Sequence, residues 1–132
     1  MDVLGYLMDR SRSATTMLTM LAVMSLLSGC NRPISDANKL EAIRAGAQAL
    51  MKKYPAERPK NWRKISKGKW PAAIADLYPE DVTVHTWGVD ITTKAYFDGG
   101  YGYDVPVSKA NLPMPAACYS EPSRGVFWHD PC

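Results

Sequence analysis

The stretch Met17–Leu27 (MLTMLAVMSLL) limits the fold most, because it removes the start of the chain from it. It holds 11 mostly apolar residues behind Arg10 and Arg12, whereas a helix crossing a bilayer needs about 20. An ordinary buried helix with Cys30 as a core thiol is disfavoured, because a segment apolar all round has no polar face to present on a small domain. A basic start, a short apolar stretch and the small residues Ser28 and Gly29 form the pattern of a cleavable targeting segment. Residues 1–29 are therefore read as a signal peptide, residues 30–35 as a tether, and residues 36–132 as one small domain. Met8 is an alternative start, with MDRSRSATT as the basic region.

Leu27-Ser28-Gly29-Cys30 resembles the lipobox of bacterial lipoproteins. In that family the cysteine thiol takes a diacylglycerol and becomes the first residue of the mature chain. The resemblance implies a partner for Cys30, the lipid bilayer, and a place in the cell envelope facing the periplasm. Asn31, rather than aspartate, follows the cysteine, and by resemblance to enterobacterial sorting this favours the outer membrane.

A mature chain of 103 residues is expected to bury only about 60–65% of its unfolded surface, so a covalent staple is of use. With Cys30 assigned to lipid, Cys118 and Cys132 remain, and an exported pair is expected to close as a disulfide.

The expected fold class is α+β. Leu40, Ile43, Ala47, Leu50 and Tyr54 recur on one face of a helix that Ser35 or Asp36 can cap and Pro55 ends. A short second helix is read in WPAAIADLYP, with Pro71 in its first turn and Pro79 at its end. From Asp81 the period changes to two: Val82 and Val84, then Val89 and Ile91, then a DGG turn at 98–100 and YGYDVPV. A last hairpin, with CYS and VFWH as arms around EPSRG, is tied at its base by the cysteines. The two helices are expected to pack on a three- to five-stranded antiparallel meander. The pattern Trp70-Pro71…Ile74…Leu77…Pro79…Val82…Val84…Gly88-Val89…Ile91 resembles one in small uncharacterised bacterial proteins, and it consists of core and turn residues that imply no activity. At the level of architecture alone, helices before a three-stranded sheet are similar to the small outer-membrane assembly lipoproteins.

Charge separates the chain. Residues 30–69 carry eleven Lys or Arg against three Asp or Glu, and residues 70–132 carry three against eight. Lys52, Lys53, Arg58, Lys60, Arg63, Lys64, Lys67 and Lys69 fall in one loop, 52–69, with Trp62 among them. This loop is a candidate binding surface, together with Arg124 and Trp128 of the final hairpin. Its partner would be an envelope protein, an anionic lipid or a cell-wall polymer; export excludes nucleic acid, the usual partner of such a stretch. A solvated loop that pairs with the acidic half of the same molecule accounts for the same charges.

Catalytic signals are few. His85 and His129 are the only histidines. A hydrolase could draw on His129 with Asp130 or Asp104 and Ser120 or Ser123, but no G-x-S-x-G elbow is present. With neither H-x-x-x-H nor C-x-x-C, no metal and no cofactor are expected. The expected function is that of a non-enzymatic binding or accessory module, a class that includes assembly accessories, inhibitors and immunity-type proteins; the alternatives are a small periplasmic hydrolase using His129 and nearby acids and a purely structural surface lipoprotein.

Overall fold

A computed structural model of the 132-residue chain describes residues 32–97 and 99–132. The expected signal segment, Cys30 and Asp98 of the expected DGG turn lie outside the described residues. Among those described, no helix is long and apolar enough to cross a membrane.

Helix α1 spans Ala37–Lys53. Asp36 caps it, its carboxylate accepting from the backbone N–H groups of Asn38 and Lys39 at 2.9 and 3.1 Å. Leu40, Ile43, Ala47 and Leu50 are buried on one face, while Glu41 and Arg44 pair at 2.8 Å on the exposed side. Gly46 sits mid-helix, where glycine costs about 1 kcal/mol against alanine. Its place is explained by a close approach: a Cβ there would lie 3.1 Å from Cβ of Pro71. Pro71 opens the short helix α2, Ala72–Ala75, whose Ile74 is fully buried.

The strands are β1 (Trp62–Lys64), β2 (Asp81–His85), β3 (Gly88–Tyr96), β4 (Gly99–Pro106), β5 (Tyr119–Ser123) and β6 (Val126–His129). They form one antiparallel sheet in the order β1-β2-β3-β4-β6-β5. The meander β2–β3–β4 matches the change of period at Asp81. The number of strands does not: six are present where three to five were expected. The addition is β1, inside the basic loop, whose three residues are all exposed and show no alternation to read. The final hairpin enters the sheet by β6, so the later strand lies beside β4 and β5 is left at the edge.

Because side chains alternate across a strand, the sheet has two distinct faces. Val82, Val84, Val89, Ile91, Tyr103, Val105, Val126 and Trp128 face α1 and join Leu40, Ile43, Ala47 and Leu50 in the core. Tyr103 and Trp128 meet edge to face at 4.9 Å, and the Tyr103 hydroxyl accepts from the backbone N–H of Ile34 at 2.8 Å, fixing the start of the domain to its centre.

Cys118 and Cys132 are bonded, with their Cα atoms 5.8 Å apart, at the two outer ends of the β5–β6 hairpin. Replacing both by serine is expected to lower stability by about 3 kcal/mol, the chain-entropy value for a loop of about 15 residues. The effect should appear as a lower urea midpoint, with a slope that is no smaller because the released denatured chain exposes more surface; an unmoved midpoint would mean that packing alone holds the hairpin closed.

Candidate functional site

Two groups of residues stand out, at different places on the sheet. The first is the basic edge. All eight Lys and Arg residues between 52 and 69 are exposed, and β1 is the outermost strand on their side. Lys53 and Lys69 lie over the Tyr54 ring at 5.4 and 5.2 Å, and Lys60 lies over Trp62 at 4.9 Å. Such contacts contribute about 0.5–1 kcal/mol at exposed sites, enough to hold these three cations against two aromatic rings. Trp62 remains 47% exposed. Lys64 is engaged within the molecule, 3.1 Å from Asp81.

Arg124 and Trp128 do not join this surface. Arg124 is exposed at the β5–β6 turn, at the opposite edge of the sheet from β1. Trp128 is 8% exposed and belongs to the core. The expectation that Trp128 is a contact residue is therefore corrected: its position in β6 alternates with Phe127 and His129 and turns it towards α1.

The second group lies on the sheet face away from α1. Asp90 of β3 stands directly opposite Asp104 of β4. His129 of β6 is opposite Gly102, one pleat along, so it reaches both carboxylates diagonally. Its Nε2 is 3.9 Å from Oδ1 of Asp90 and 3.9 Å from Oδ1 of Asp104. The outer oxygens are held by hydroxyls: Thr92 donates to Oδ2 of Asp90 at 3.0 Å, and Tyr119 donates to Oδ2 of Asp104 at 2.6 Å. Tyr119 also meets Phe127 and His129 edge to face. It follows directly on Cys118, so the disulfide fixes the segment that carries this aromatic cover. Tyr119 and Phe127 further line a cavity of about 360 Å³ together with Lys109, Leu112, Met114 and Glu121.

The electrostatics of this group follow from burial and proximity. Burial, with Asp90 beside it, pushes the Asp104 carboxyl up to about 8, against the opposing pull of Tyr119 and His129. For Asp90 burial acts upward but is outweighed by the pull of its neighbours, first His129 and then Asp104 and Thr92, and the carboxyl lies below its ordinary value. For His129 burial acts downward and the two carboxylates outweigh it, raising the imidazole. Tyr119 is raised by burial and by the Asp104 charge. The facing carboxyls are thus pushed apart, Asp104 upward and Asp90 downward.

Sequence reasoning singled out His129 and Asp104 but missed Asp90, whose only signal was its place on a strand between Val89 and Ile91. Asp130 is exposed. Ser120 and Ser123 pair with Trp128 and Val126, the core-facing residues of β6, and so belong to the face opposite His129. The hydroxyls beside the imidazole and carboxylates are those of Thr92 and Tyr119, both committed to hydrogen bonds. His85, the other histidine, stacks on Trp87 at 5.0 Å, and burial lowers its pKa despite Asp90. The chain matches no protein-family model, no curated protein and no solved structure.

Proposed function

We propose that this chain is a lipid-anchored envelope protein, held by an acylated Cys30 and facing the periplasm, that acts as a non-enzymatic accessory module by docking an anionic partner on its basic edge. The observation that carries the reading is the exposure of all eight cations along the end of α1, the outermost strand and the segments between and beside them, with three of the cations over Tyr54 and Trp62. The short, cationic β1 discourages addition of another strand to its free backbone edge, so side-chain charge is what the partner meets.

Geometry also bears on the kind of partner. The tether joins the domain at Ile34, just before α1, and the three residues after Cys30 reach only about 10 Å. Lys52 and Lys53 end a 17-residue helix, which is about 25 Å long. The basic end therefore lies about 25 Å along α1 from the point where the tether joins, and an acidic envelope protein or an anionic cell-wall polymer is the partner we propose for it.

The anchor has its own test. Cys30→Ala is expected to leave an uncleaved precursor that no longer takes up labelled fatty acid. Normal cleavage and acylation of that variant would remove the lipoprotein reading.

A further inference from the structure

We propose that Oδ1 of Asp90, Oδ1 of Asp104 and Nε2 of His129 together bind one divalent transition-metal ion of the zinc type. One ligand atom from each of the three residues lies within 4.8 Å of the others, the one such group found among the described residues. Nε2 of His129 stands 3.9 Å from Oδ1 of each carboxylate, so an ion midway between nitrogen and oxygen lies about 2 Å from both, a metal–ligand bond length.

Three features separate this group from a chance meeting of charges. Oδ1 of Asp104 has no hydrogen-bond partner although its side chain is only 3% exposed, and it is aimed at His129. Buried polar atoms in folded proteins almost always have a partner. Nε2 of His129 satisfies neither inner oxygen, because 3.9 Å exceeds any hydrogen bond. The outer carboxylate oxygens, by contrast, are fixed by Thr92 and Tyr119, the kind of support that orients metal-ligating carboxylates.

Charge points the same way. Like charges placed directly opposite on neighbouring strands destabilise a sheet, and Asp90 and Asp104 are such a pair. A single proton would neutralise one carboxylate and leave His129 unbonded at 3.9 Å. A divalent cation balances both carboxylates and takes the free lone pair of each inner atom. The imidazole nitrogen favours zinc and its neighbours in the transition series over magnesium or calcium, which select oxygen. Asp90, with 27% of its side chain exposed, lies at the entrance, and water would fill the remaining coordination positions. This site is separate from the basic edge and does not depend on it.

The test uses the full chain in detergent with its disulfide intact, in a Cys30→Ala background that removes the third thiol. After treatment with a chelator it is titrated with Zn²⁺ by calorimetry, and with Co²⁺ by visible absorption. The expected result is one ion per chain, bound at micromolar concentration or below. Asp104→Asn and His129→Gln should each weaken binding at least tenfold, and Tyr119→Phe about tenfold through loss of its support. His85→Gln should change nothing. Should a variant not fold, the imidazole resonances of the unsubstituted chain decide: zinc should move those of His129 and leave those of His85. Absence of saturable 1:1 binding, binding undiminished in a folded Asp104→Asn/His129→Gln double variant, or zinc-induced movement of His85 alone would overturn the proposal.

Discussion

Trp128→Ala is expected to cost the domain about 3–5 kcal/mol, the range for emptying a large aromatic site in a core. A domain of this size has about 5–15 kcal/mol in all, so much of the population is expected to lose its fold under mild denaturant. The reason lies in the packing around the indole. Trp128 meets Tyr103 at 4.9 Å and Tyr101 at 6.2 Å, beneath α1, and its strand joins the terminal hairpin to β4. Far-UV circular dichroism against urea measures the loss without relying on the fluorescence that the substitution removes. A change below about 1 kcal/mol would mean that the ring contributes as a surface residue does.

Neutralising the basic edge should have a large effect of a different kind. Combined replacement of Lys60, Arg63, Lys67 and Lys69 by glutamine leaves the core untouched, since all four are exposed. Lys64 is left out because Asp81 already engages it. Each cation near an anionic surface contributes about 1 kcal/mol, so four removals correspond to roughly a thousandfold weaker association at low salt. Retention on immobilised polyphosphate at low ionic strength provides a defined measure, with Arg124→Gln at the far edge as a control expected to bind as before. The difference should shrink as salt rises and the screening length falls below about 10 Å. Equal retention of the quadruple variant and the natural chain would make the loop a solvated linker.

These two residues and regions also mark how far the sequence was legible. Helix α1 could be read because Leu40, Ile43, Ala47 and Leu50 keep helical spacing and Pro55 ends the run. The meander could be read because Val82 and Val84 alternate with polar residues. Both are local patterns, set within one element by burial of one face. Strand β1 had no such pattern: Trp62, Arg63 and Lys64 are all exposed, and their pairing with His85, Val84 and Thr83 is set by β2 across a long gap in sequence.

The order of β5 and β6 was hidden for a related reason. Val126, Phe127, Trp128 and His129 are all buried, so their burial does not alternate and gives no hint of which strand lies inside the sheet. The carboxylate–histidine group was hidden more deeply. On a half-solvated antiparallel sheet, Asp90 and Asp104 occupy the positions expected to face water. They are instead screened by Tyr119 and by a histidine contributed from β6, a convergence that only the tertiary pairing creates.

The proposed docking of an anionic partner on the basic edge is tested most directly by placing a photo-reactive phenylalanine analogue at position 62 of the full chain in its native cells. The account predicts an adduct with a single acidic protein or anionic polymer, suppressed by high salt and by the four glutamine substitutions. The same probe at position 124, at the other edge of the sheet, should give none. No adduct from position 62, or an equal yield from position 124, would contradict it.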